Sequence, residues 1–306
     1  MYKIILIISV VTTFIFSSCD KDIKHFSTVD FKSIFDKTQV RLDKDGNPVT
    51  LPAGNAAQSP RINELSIHYL ELSQDEFTPY KKGAQLYKSA ETIDGGAVAI
   101  DFDSAIIVSE NEISFTVNIN RIANDNYNYV RASVSYLNYD IDLILRNIPS
   151  VGDVETTGTV ASFIGYNTYI RTLQIMQLST DINANKSQGF WAFETHLTAP
   201  YESYNSTYSG QSIGITTCVN PIAATSPLPL GSGVITGKFT EPLVIDDESK
   251  KQNLTITLSF SNNNSFEWED VNANGIWDVD VVNPALTEQV VDMGLRGMIA
   301  TFHFTE

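Results

Sequence analysis

The densest set of side chains that could hold an ion lies in Phe266–Asp280, FEWEDVNANGIWDVD. Asp270, Asn272 and Asn274 stand at alternate positions, Gly275 follows, and Asp278 and Asp280 come after it. Carboxylate and carboxamide oxygens are hard donors, and alternate side chains along a tight loop can converge on one ion. Calcium takes about 6–8 such oxygens at roughly 2.3–2.6 Å, and a glycine in the middle of the loop supplies the sharp reversal. The plainer alternative is an Asn/Asp/Gly turn with solvated acids, because these residues favour turns with no ion present. Asp181, Asn183 and Asn185 repeat the alternation, but Lys186 stands where a glycine is needed, so no ion is expected there.

Other reactive patterns fail on context. Gly210-Gln211-Ser212-Ile213-Gly214 matches the G-x-S-x-G nucleophile pattern. That pattern works at a strand-to-helix elbow with an acid and then a histidine downstream. Here a strand is expected to follow, and the only downstream histidine is His303. Gly233–Gly237-Lys238 falls one residue short of the P-loop spacing and places Phe239 where Ser or Thr must stand. The four histidines, His25, His68, His196 and His303, show no zinc-binding spacing. A glycosidase pair among 36 carboxylates would need spatial separation rather than sequence spacing, and nothing in the sequence selects one. The chain is therefore expected not to be an enzyme.

The acidic loop resembles the D-x-[DN]-x-[DN]-G core of EF-hand-type calcium loops, shared by dockerins and thrombospondin-type repeats. The resemblance implies Asp270, Asn272, Asn274 and Asp278 as side-chain ligands and the Ile276 carbonyl as a further one. The chain departs from the pattern at the twelfth position, where Val281 replaces a bidentate Glu. Asp280 sits one place early, and Glu267, Glu269, Glu288 and Asp292 are donors from outside the core. With so few carboxylates the implied affinity is that of extracellular modules, about 10⁻⁴–10⁻³ M, and the calcium is expected to be structural.

The elements that must position this loop are strands. Ile113-Phe115-Val117-Ile119, Val130-Ala132-Val134-Tyr136, Leu254-Ile256-Leu258-Phe260 and Met298-Ala300-Phe302-Phe304 alternate with polar residues. That period of two predicts half-buried strands. Further strands are predicted at 62–72, 97–108, 141–147, 158–178, 190–198, 208–219 and 233–245. Thr38–Leu51 predicts a hairpin about Asp45-Gly46, a dipeptide that accepts the positive φ of a tight turn. No window of twelve residues carries a helical apolar stripe. The fold class is all-β, an antiparallel β-sandwich, read as two immunoglobulin- or transthyretin-like modules. Their boundaries are 61–150 and 151–306, after a tether and hairpin at 19–60; one large sandwich is the alternative.

Residues 1–19, MYKIILIISVVTTFIFSSC, carry Lys3, an apolar run from Ile4 to Phe16, and then Ser17-Ser18-Cys19. This is the layout of a secretory signal, and its run is too short to span a bilayer core. Phe16-Ser17-Ser18-Cys19 resembles the lipobox of bacterial lipoproteins. That resemblance implies cleavage after residue 18, lipid on Cys19, and a cell-envelope location on the outer membrane, periplasmic or surface-exposed. A net charge of −16 argues against nucleic acid, whose phosphates demand clustered Lys and Arg. Cys218 is left without an intramolecular partner if Cys19 is lipidated, and its apolar setting predicts a buried inert thiol. Tyr127, Tyr129, Tyr201, Tyr204 and Tyr208 lie among Asn and Ser, so a glycan is one possible ligand and a protein surface another.

The sequence points to a non-catalytic surface-binding or adhesion-type lipoprotein with a calcium-stabilised loop. The alternative is a structural subunit or anchor resembling the lipoprotein-type pilins, with Gly297–Thr305 as an exchangeable terminal strand. A polysaccharide hydrolase comes last.

Overall fold

A computed structural model describes residues 27–197, 204–214, 216, 218–222 and 233–305, with the side chains of 204–207 left aside. The leader, Cys19 and Tyr201 lie outside the described residues. The expected all-β, sandwich-like class holds: 58% of the described residues are in strands, with no α-helix among them.

One strand organises the rest. Asp125–Ile148 runs for 24 residues and is long enough to take two partners on each side. Its first half pairs with Val234–Ile245 and its second half with Gly152–Phe163. On the other side Arg61–Ser73 pairs along the middle, and Trp277–Asp280 pairs parallel to Leu143–Arg146. The Val130-Ala132-Val134 alternation faces the main core as expected, but Tyr136 does not. The pairing with Arg61–Ser73 slips between Ser66 and Ile67, opposite Tyr136 and Val134. Such an irregularity exchanges the two faces of a strand. Beyond it Leu137, Tyr139, Ile141, Leu143 and Leu145 turn to the main core, while Tyr136 enters a second cluster with Phe163, Ile170 and Phe190.

From this hub the thirteen-stranded sheet continues through Val234–Ile245, Met298–Thr305, Asn253–Phe260, Thr28–Phe35 and Ile113–Asn118. Val29 and Phe31 of the first of these in sequence are fully buried, so the segment read as tether becomes core strand from Thr28. In the other direction it ends with Gly152–Phe163, Phe190–Leu197 and Tyr204–Gln211. Two smaller sheets cover this second region. The four-stranded one, containing Asn167–Gln174 and Ser179–Ser187, closes the Tyr136–Phe163 cluster. The three-stranded one, with Phe266–Glu269 at its centre, sets Phe266 against Tyr139, Trp268 and Trp277. Trp191, Trp268 and Trp277 all belong to the core.

The 150/151 boundary falls in the turn of the hairpin joining Asp125–Ile148 to Gly152–Phe163, and strands on both sides of it share one sheet and one core. The predicted strand at 158–178 is two, separated at Ile164–Tyr166; that at 97–108 is broken by a 3₁₀ turn at Phe102–Ser104. The 38–51 hairpin reduces to one bridge, Leu42 with Pro48, around Gly46 at φ 86°. Met298–Thr305 lies inside the sheet between two neighbours, not at an edge. Cys218 is free and buried, and burial pushes its thiol up to about 12.

Candidate functional site

The acidic stretch forms a corner between two sheets. Phe266–Glu269 belongs to the three-stranded sheet and Trp277–Asp280 to the large one, so the chain must reverse in the seven residues between them. Ala273 at φ 52° and Gly275 at φ 74° make that reversal. Period-two alternation then divides the four residues of Trp277–Asp280 between two faces, all of them buried. Trp277 and Val279 enter the core, while Asp278 and Asp280 stand on the opposite face beside Arg146.

Three of the expected ligands do come together. Asp278 Oδ2 accepts from the carboxamides of Asn272, at 2.5 Å, and Asn274, at 3.1 Å. Asp270 turns instead to its own loop, accepting from the Asn274 and Gly275 amides at 3.1 and 3.0 Å. Asn274 Oδ1 accepts from the Ile276 amide. Asp280 lies apart, capping the next turn through the Val282 and Asn283 amides and accepting from Asn147 at 2.6 Å. Those donors hold its carboxyl below the ordinary range. Glu288 spans the corner, accepting from the Asn272 and Asp278 amides. Burial, with the charges of Asp278 and Asp270 nearby, raises its carboxyl above the ordinary range.

The group that spacing could not foresee is Arg146. Its Nε and Nη2 donate to Asp278 Oδ1 and Oδ2, both at 3.0 Å, a bidentate clamp on a carboxylate whose side chain is 2% exposed. Its Nη1 donates to Asp153 at 2.7 Å. Charge-assisted bidentate pairs of this kind are among the strongest hydrogen bonds a side chain makes, and they push the guanidinium above its ordinary value.

The donor chemistry of this loop suits calcium, and several of its donors are engaged with one another and with Arg146. Arg146 bridges both oxygens of Asp278, and Asn272 and Asn274 present N–H₂ groups to it rather than oxygens. Among the described residues no three His, Cys, Asp or Glu side chains stand together as ion ligands would.

Around the corner lies an open cleft of about 670 Å³, lined by Arg146, Asp153, Asn274, Asp278, Asp280 and Glu288 among others. It shares Thr287, Glu288 and Gln289 with a smaller pocket of about 130 Å³ floored by Trp191 and Tyr208. The residues singled out for other chemistry stand elsewhere. Ser212 directs its hydroxyl to the Gly214 carbonyl and lies in a turn, not at an elbow before a helix. Tyr127 is buried in the long strand, with its hydroxyl on the Ala123 carbonyl.

No family model, curated protein or solved structure matches this chain.

Proposed function

We propose that this chain is a non-catalytic cell-envelope lipoprotein, anchored through Cys19, whose β-sandwich presents a binding surface away from the membrane. The observation that carries this reading is the direction of the strands. Thr28 follows Cys19 by nine residues, a stretch that spans at most about 32 Å fully extended. From there Thr28–Phe35 and Asn253–Phe260 run parallel, Met298–Thr305 and Val234–Ile245 run back, and Asp125–Ile148 runs outward again. The end of that longest strand, with Arg146 and the acidic corner, therefore lies at the opposite end of the sheet from Thr28.

A lipid on Cys19 would hold the near end at the bilayer and leave the polar cleft displayed. Its carboxylates are held by Arg146 and by backbone amides, which suits recognition more than proton transfer. Within this reading the corner is closed by Arg146 rather than by an ion. Expressed in a bacterium with its own leader, the protein should fractionate with membranes, and Cys19→Ser should release it to the soluble fraction. Retention of the Cys19→Ser protein in membranes would overturn the anchor.

A further inference from the structure

We propose that the second hydrophobic cluster opens into a binding site for a small apolar carboxylate, a single ring or a short acyl chain whose anionic end meets Lys186. The site is a pocket of about 170 Å³ that shares no lining residue with the Arg146 cleft. Its floor is Leu173, Phe190 and Ala192, all buried members of that cluster. Ile182 makes a half-buried wall, and the exposed Leu178 and Thr180 stand at the rim.

The size of the pocket sets the bulk of the ligand. A cavity of about 150 Å³ walled by aliphatic and aromatic side chains takes one benzene ring, so there is room here for one ring or a chain of similar volume. Covering the Leu173 and Phe190 floor with such a group is favourable in proportion to the apolar area removed from water. That area is small, so apolar contact alone would bind weakly and would not choose among ligands of one shape.

Lys186 supplies the choice. It is half-buried and is the one charged residue among those lining the pocket. Its ammonium stands 4.5 Å from the centre of the Phe190 ring, over the floor. Among the described residues the lysines paired with a carboxylate are Lys44, Lys88 and Lys251, not Lys186. In a chain of 36 acidic residues against 20 basic, that cation is left for a ligand to meet. The buried Glu194 carboxylate is committed elsewhere: it accepts from the Met176, Gln177 and Leu178 amides at 2.9–3.3 Å, which fixes the rim at Leu178. A carboxylate on Lys186 gains a charge-assisted hydrogen bond, stronger than the neutral kind, and an amine of the same shape would be repelled.

The site stands apart from the membrane anchor and from the Arg146 cleft, so its test needs neither. Residues 20–306 are titrated, by calorimetry and by methyl NMR, with phenylacetate, phenylacetamide and phenethylamine. Phenylacetate should bind about tenfold more tightly than the amide, the margin of a hydrogen bond to a charged group, and more tightly still than the amine. The Leu178 and Ile182 methyl signals should move as it binds. Lys186→Met, which keeps the stem of the side chain, should level the carboxylate and the amide. Lys186→Glu should reverse the order, so that phenethylamine binds best. Equal affinity of the wild-type protein for all three ligands would overturn the proposal, as would no binding at millimolar concentration. A preference for phenylacetate that survives in both variants would place the anion elsewhere and overturn it too.

Discussion

Arg146 and Asp278 are 132 residues apart in sequence, and their pairing changes what the acidic loop is. The D-x-N-x-N-G spacing was legible, and it does bring Asn272, Asn274 and Asp278 to one point. What no local pattern carries is the strand register that sets Arg146 beside that point, since a guanidinium from a distant strand leaves no trace in the loop itself. The consequence is measurable. With Arg146 present, the thermal midpoint of residues 20–306 should be the same in EDTA and in 10 mM calcium. Arg146→Ala should lower the midpoint, because Asp278 is then a buried carboxylate without its cation. Calcium should restore part of that loss: a site of Kd about 0.1–1 mM gains roughly 1.4–2.7 kcal/mol at this concentration, or about 3–10 °C. A rise of that size in the wild-type protein would return calcium to the loop.

At the scale of elements, the strand Phe266–Glu269 is fastened from three directions at one side chain. Glu267 accepts from Arg41 in the loop after the first strand, from Arg296 at 3.2 Å, and from Asn55 at 2.6 Å. Asp292 takes the second interaction of Arg296, at 3.1 Å, so two arginines and two carboxylates balance in a buried group. Removing one member of such a set leaves an uncompensated charge, which costs about 3–5 kcal/mol. Glu267→Ala should lower the unfolding free energy in urea by that amount, and a loss below 1 kcal/mol would show the arginines finding water. Strand existence was readable from alternation, because each strand buries one face. Strand length was not. The 125–148 segment reads as two strands because its apolar phase reverses near Ser135, and that reversal is fixed by pairing with Arg61–Ser73 rather than by local preference. The 158–178 segment reads as one because Ile164 and Gly165, which turn the chain, are flanked by residues equally at home in strands. Both turn amides go to the Ser135 carbonyl, a partner known only once the sheet is formed.

The whole molecule is held by the long strand, and this bears on whether the chain has one cooperative unit or two. A cut at 150/151 would strip Gly152–Phe163 and Val234–Ile245 from one side of Asp125–Ile148, and Trp277–Asp280 from the other. It would also divide the main core, in which Leu65, Val130 and Leu143 pack with residues such as Phe193, Ile256 and Trp277. A strand of 24 residues without its partners presents unpaired backbone on both sides, which water can satisfy but a folded half cannot. Residues 20–150 and 151–306 expressed apart should therefore each lack the dispersed amide spectrum of a folded domain. The intact chain should melt in a single transition whose calorimetric and van't Hoff enthalpies agree. Two separable transitions, or one folded half, would restore the division into modules at 150/151. They would also mean that the pairing of Asp125–Ile148 with Gly152–Phe163 contributes little to holding the two parts together. A single transition would have a further meaning for an anchored protein: strain applied at the Thr28 end would be carried by one continuous sheet to the cleft beside Arg146, with no hinge between them.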